Sequence, residues 1–362
     1  MLDSMQHQLR RDCLASAERV PGLIDGLRGQ SVSVVGGLGF SGTWIAEMVA
    51  ALNDKFGTAM RLHLIGREPQ RWIAQHTRLH RDDIFLQAAD IRSAFEFARD
   101  TTLVIHAAGI ADPRIHASDP QLVYQSTLFG LDNALVATSR LENIQRFVLM
   151  SSGLVTGQTD HLSPLIETEV GLIEFRRLHN LYAEVRRAAE AIANSYASQF
   201  RLPVSTVRAF SFLGPFQPVD APWAVNNFIR DALSGNEIRI HGAGSSRRSY
   251  LYGSDVAAWL LQSGLRGRDG VVYNLGGDEA ITHAQAAQWV CEKITPEPKV
   301  LVRTLGNEHP RSSDFFPDVT FTKSELGVQQ VIDVRTAIAR TLGWQADQQG
   351  LSRLLKQADP IE

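Results

Sequence analysis

Val34-Val35-Gly36-Gly37-Leu38-Gly39-Phe40-Ser41-Gly42 places glycines at 36, 39 and 42 of a 362-residue chain. The run Ser31–Val35 before it is rich in β-branched residues, and Phe40–Leu52 after it has helical periodicity. Glycines so spaced between a strand and a helix allow, in turn, a tight bend, backbone approach to a pyrophosphate, and close helix–sheet packing. The helix start adds unsatisfied N–H groups and the positive end of its dipole. Glycines also end strands for purely structural reasons, but the strand–turn–helix setting predicts a nicotinamide dinucleotide held by Gly36, Gly39, Phe40, Ser41 and Gly42.

Outward from this turn, strand-like and helix-like segments alternate. Arg61–Ile65, Ile84–Gln87, Leu103–His106, Phe147–Met150 and Val204–Arg208 read as strands. Helical stretches lie between them: one from Pro69, a short one over Ser93–Arg99, and long ones over Pro120–Arg140 and His179–Phe200. Parallel strands need crossovers, so the pattern predicts a Rossmann-type, doubly wound α/β sheet over residues 31–214, with Val204–Arg208 completing it. Residues 1–30 read as an amphipathic helical lead-in. Residues 215–362, with denser proline and glycine, read mainly as a smaller substrate lobe, some segments of which return to the core.

Composition bounds the rest. Apolar residues make up 44% and charged residues 21%, an ordinary globular balance. A net charge of −3 argues against nucleic acid or an anionic membrane as partner. Two cysteines, Cys13 and Cys291, lie far apart and read as reduced thiols. No signal-peptide core or apolar run of membrane-spanning length is present, so the expected location is cytoplasmic. No His, Cys, Asp and Glu spacing suits a metal.

Several side chains are candidates for chemistry. The second strand ends Ile65-Gly66-Arg67, without the acid that often binds the adenine ribose. Arg67 either pairs with a 2′-phosphate, favouring NADP over NAD, or is a solvated arginine. Asp90-Ile91 either holds the adenine edge or simply caps a helix. Tyr182 and Arg186 share a helix face at i, i+4. A fixed cation stabilises a phenolate, so Tyr182 can exchange a proton with a substrate hydroxyl while hydride passes to or from the cofactor. Ser152 lies past a strand end, where open α/β sheets bind ligands. Arg248 suits a diphosphate, and Asn226 or Asn227 a phosphate, against solvated charge and capping respectively. His179 reads as a surface residue, His106 as a satisfied core imidazole, and His241 is undecided.

Taken together, these residues resemble the extended short-chain dehydrogenase/reductase superfamily, in particular its nucleotide-sugar epimerases and dehydratases, from about Leu27 to Trp344. The resemblance rests on Gly36–Gly42, Asp90-Ile91, His106-Ala107-Ala108, Ser151–Gly157, Tyr182–Glu190, Arg208–Pro215, Asn227–Arg230 and Arg248–Asp255. It implies cofactor contacts at Ala107 and Ala108, a catalytic hydroxyl on Ser152, the catalytic tyrosine on Tyr182 and the ribose-holding base on Arg186. It further implies a nucleotide-diphosphate anchor on Arg248, and a homodimer through the two long helices.

The chain departs from that family's pattern at Val35, Thr127, Thr156 and Arg186, the last of which is usually lysine. After Ser152 it carries Gly153-Leu154 where sugar 4,6-dehydratases carry an Asp-Glu pair, so elimination of water lacks its acid and base. The expectation is an NAD(P)-dependent epimerase or oxidoreductase acting on a hydroxyl or keto carbon of a nucleotide-linked sugar. The alternative is a catalytically reduced member that binds a dinucleotide for structural or regulatory reasons.

Overall fold

The computed structural model describes residues 2–158, 164–303 and 314–356. Its centre is a seven-stranded, wholly parallel sheet. The strands are β1 (Ser31–Val35), β2 (Arg61–Gly66), β3 (Ile84–Ala88), β4 (Leu103–His106), β5 (Arg146–Ser152), β6 (Val204–Ala209) and, beyond three strands of the smaller lobe, β10 (Val272–Leu275). Their spatial order is β10-β6-β5-β4-β1-β2-β3. The chain winds outward from β1 to β3 and then crosses back to β4 on the other side of β1. The crevice at the carboxyl ends of β1 and β4 is therefore where such sheets bind ligands.

The alternation of side chains along buried strands builds a core on each face. Val34, Leu64, Ile105 and Val148 face one apolar cluster with the helices Phe40–Phe56 and Gly253–Arg266. Val35, Ile65, Val104, Phe147 and Leu149 face the other, with Gly130–Thr138 and Leu181–Phe200. The N-terminal helix Leu2–Glu18 joins the first cluster through Leu9, Cys13 and Ala17. There Asp12 pairs with Arg340 at 2.9 Å and accepts from the Tyr252 hydroxyl at 3.0 Å, while Ser16 donates to Asp255 at 2.7 Å.

The smaller lobe holds two short sheets. In one, β9 (Arg247–Tyr252) lies between β7 (Ser211–Leu213) and β11 (Ala280–Thr282). In the other, β8 (Ile238–His241) pairs in parallel with β12 (Val300–Arg303). Cys13 and Cys291 are free and buried. Among the described residues no helix is long and apolar enough to cross a membrane.

Three expectations are corrected. Val204–Arg208 does not complete the sheet, because β10 adds a seventh strand along β6, from Val272 opposite Thr206 to Leu275 opposite Ala209. Ser93–Arg99 forms no helix. Phe95 and Phe97, two apart, meet edge to face at 5.2 Å with Phe97 buried, and Gln87 ties the Glu96 carbonyl to β3, so rings and side chain hold an irregular path. Pro120–Arg140 is not one regular α-helix: Gln125–Phe129 is a π-turn between Pro120–Tyr124 and Gly130–Thr138. Within that turn the Thr127 hydroxyl bonds the Val123 carbonyl at 2.8 Å, a back-bond that competes with regular helix geometry.

Candidate functional site

A cleft of about 1170 Å³ runs over the carboxyl ends of the central strands and under the smaller lobe. The glycine turn forms its floor. Gly36 has φ +76, and a Cβ there would stand 2.7 Å from the Ala108 Cα, so only glycine lets β1 and β4 close beneath a ligand. Gly36, Gly39, Phe40 and Ser41 line the cleft, as do Ala107 and Ala108. Gly42 does not line it. Its missing side chain instead admits the backbone of Gly37, which seats the helix on the turn. Narrow floor, small residues and a helix start together fit a pyrophosphate-bearing cofactor.

One end of the cleft is basic, with Arg67, Arg71 and Arg92 on its wall. Asp90 accepts from the Arg92 backbone at 3.0 Å and is gripped by the Arg92 guanidinium at 2.5 Å. That hydrogen-bonded pairing lowers the Asp90 carboxyl to about 2, and Arg67 contributes from nearby. Asp90 thus caps a turn rather than a helix, while Ile91 lies beside it on the wall.

Ser152, Tyr182 and Arg186 converge on the middle of the cleft. Ser152 stands at the end of β5 and its hydroxyl accepts from the Leu154 N–H at 3.2 Å. Next to it the Ser151 hydroxyl is buried without a hydrogen-bond partner among the described residues and also lines the wall. Tyr182 opens the long helix and is buried, with the Arg186 guanidinium 5.2 Å from its ring centroid. Arg186 is 2% exposed and donates to the carbonyls of Met150 at 3.0 Å and Ala108 at 3.3 Å. Its guanidinium fills the space that a side chain on Gly109 would take. The cation therefore sits in the sheet's end rather than reaching freely across the cleft.

The far end is lined by Arg248, Tyr250, His283, Asn226, Phe210, Phe212, Trp223 and Phe315. Arg248 lies over the Phe315 ring at 5.7 Å, donates to the Arg247 carbonyl at 2.8 Å, and has its pKa lowered by burial. Burial, reinforced by Arg248, also pushes His283 down to about 4. Asn227 does not reach the cleft. One residue along a helix is about 100° of rotation, and Asn227 turns to bond Arg230 at 2.6 Å while Asn226 faces the ligand side.

His106 is fully buried and stacked on Phe147 at 6.1 Å, within reach of the Gly130 backbone. Burial, then the Arg186 charge, lowers it to about 3. His179 is exposed on the cleft rim and His241 is exposed on β8. Sequence reasoning missed Ser151, His116 and His283; nothing in their local spacing separates them from ordinary core or helix residues. Among the described residues, no group of three or more His, Cys, Asp or Glu is arranged to hold a metal.

The family described as "NAD dependent epimerase/dehydratase family" matches residues 32–276. An Arabidopsis thaliana trifunctional UDP-glucose 4,6-dehydratase/UDP-4-keto-6-deoxy-D-glucose 3,5-epimerase/UDP-4-keto-L-rhamnose-reductase is 29% identical over 61% of this chain. UDP-glucuronic acid decarboxylase 4 of the same plant is 28% identical over 65% of it. The chain spans only 32% and 52% of those two proteins. The solved UDP-glucuronic acid 4-epimerase from Bacillus cereus, in complex with NAD, superposes with a TM-score of 0.74 at 17% identity, covering 88% of this chain and 99% of its own. That likeness establishes the fold.

Proposed function

The chain belongs to the NAD dependent epimerase/dehydratase family, and from that premise we propose that it is an NAD(P)-dependent epimerase or oxidoreductase acting on a hydroxyl or keto carbon of a nucleotide-linked sugar. The observation that carries this reading is the meeting of Ser152, Tyr182 and Arg186 in one cleft with the glycine turn.

A nicotinamide held there would supply a reversible hydride acceptor for the sugar carbon. The first-turn amides at Phe40 and Ser41 hold its pyrophosphate. Tyr182 takes the proton of the reacting hydroxyl and gives it back, Ser152 hydrogen-bonds the reacting oxygen, and Arg186 supplies the fixed positive charge that favours the phenolate. Arg248 holds the sugar nucleotide's diphosphate. Asn227 drops out of this set and Asn226 takes its place.

A 4,6-dehydratase reading is disfavoured despite the name of one relative. Gly153 leaves room for the Phe210 ring, so an acidic side chain there would collide with it, and Leu154 brings no acid or base. Of Arg67, Arg71 and Arg92, Arg67 is the one not paired with a cleft acid among the described residues, as Arg71 is with Glu68 and Arg92 with Asp90, and it favours NADP over NAD. The two long helices, with Phe129 and Phe200 about half exposed, form the contact of a homodimer. Residues 215–362 act mainly as the substrate lobe.

The test is hydride exchange with a panel of nucleotide sugars, after each dinucleotide has been titrated onto the protein. NADP is expected to bind about tenfold tighter than NAD, and Arg67→Ala to remove that preference. Tyr182→Phe is expected to keep dinucleotide binding and to lose about 100-fold or more of the exchange. Wild-type exchange in that variant would sink the mechanism. Binding with no exchange from any sugar would favour the catalytically reduced reading, to which the Thr127 and Arg186 departures point.

A further inference from the structure

Tyr182 is the second residue of its helix, where the backbone offers little to fix a side chain. Besides the Arg186 guanidinium, 5.2 Å from its centroid, a second group packs on the ring. The His116 imidazole lies flat on it, with ring centroids 4.6 Å apart and planes inclined by 14°. His116 belongs to a separate short helix, Pro113–Ser118, whose first turn is capped by the Asp112 carboxylate through the Arg114 N–H at 2.8 Å. Its Nε2 meets the Ile110 carbonyl at 2.7 Å. A carbonyl only accepts, so Nε2 carries the proton in the neutral ring and Nδ1 is left as the acceptor. The imidazole is thus pinned at one edge to the segment just past β4, and its plane is set before it meets the tyrosine.

We propose that His116 is a positioning residue for Tyr182, its stacked ring fixing the plane of the phenol. The proposal rests on the reading of Tyr182 as the proton carrier. Proton transfer demands that the hydroxyl sit within hydrogen-bond reach of the sugar oxygen, and small misplacements there cost large factors in rate. Stacked rings fix a plane without consuming the hydroxyl, which stays available for chemistry.

A purely structural role is the competing account, in which His116 only anchors its own six-residue helix through Ile110. Two substitutions separate them. His116→Phe keeps a flat ring against Tyr182 and loses the hydrogen bond. His116→Gln keeps a donor for Ile110 and loses the stack.

The first measurement is the ring-flip rate of Tyr182 by NMR on protein carrying ¹³C-labelled tyrosine, its signal assigned by its loss in Tyr182→Phe. It needs neither cofactor nor substrate, so it stands even if the proposed activity fails. His116→Gln is expected to flip about tenfold or more faster than wild type, with His116→Phe within about threefold. In the hydride-exchange assay, the same order is expected: about tenfold slower for Gln, near wild type for Phe, with dinucleotide affinity unchanged in both. The reverse order, equal loss in both, or a wild-type flip rate in His116→Gln would overturn the proposal.

Discussion

Arg186 shows how one substitution is accommodated by a residue far away in sequence. Its guanidinium occupies the place where Gly109 has no side chain, and two strand-end carbonyls hold it there. Gly109→Ala should therefore push it off the Ala108 and Met150 carbonyls, leaving buried polar groups unpaired at about 1–3 kcal/mol each. The expected outcome is a lower melting temperature by calorimetry and slower hydride exchange. Helical spacing alone was enough to place Tyr182 and Arg186 on one face, and the glycine turn was legible because its spacing is local. What was not legible is tertiary. The carbonyls that bind Arg186, the imidazole on Tyr182 and the surroundings of His106 all depend on other segments of the chain. Asn226 and Asn227 are told apart by a subtler feature: choosing between neighbouring asparagines needs the helix's rotation, which packing decides.

At the level of elements, the long strongly patterned segments were readable and the short ones were not. Buried β-branched strands and the long helix Leu181–Phe200 declare themselves by period, whereas Ser93–Arg99 is held by two aromatic rings that periodicity does not distinguish from a helix face. The N-terminal helix was legible as amphipathic, but not as a strut. Its polar residues Asp12 and Ser16 point inward, to Arg340, Tyr252 and Asp255. Burial raises the Asp12 carboxyl against the pull of Arg340. Asp12→Ala would leave Arg340 and the Tyr252 hydroxyl without their partner and is expected to cost about 3 kcal/mol, read as a lower midpoint in urea unfolding. An unchanged midpoint would mean the helix is held by Leu9, Cys13 and Ala17 alone.

Over the whole molecule, histidines fully or partly removed from water, among them His76, His106 and His283, shape the response to acid. Burial lowers His76 and His283 from 6.5 to about 4 and His106 to about 3. The unfolded chain takes up these protons below its own pKa, and the folded chain refuses them until well below it. Their contribution is thus complete above pH 6.5 and is lost as pH falls toward 4. Asp255, raised from 3.8 to about 6 by burial, runs the other way between those values and offsets only part of this. The melting temperature is expected to drop by roughly 5 °C or more between about pH 7 and pH 5. A flat profile over that range would contradict the withdrawal of these rings from solvent.

The strand β10 carries a consequence for how the protein is born. Its partner β6 ends at residue 209, yet the strand that covers its flank is not made until residue 275. During synthesis, the nucleotide-binding half therefore waits on the ribosome with one raw edge, whose unpaired amides and carbonyls invite a neighbouring nascent chain. A gene cut after residue 214 would freeze that moment. Its product should clump, read as a loss of dispersed protein beside the full chain.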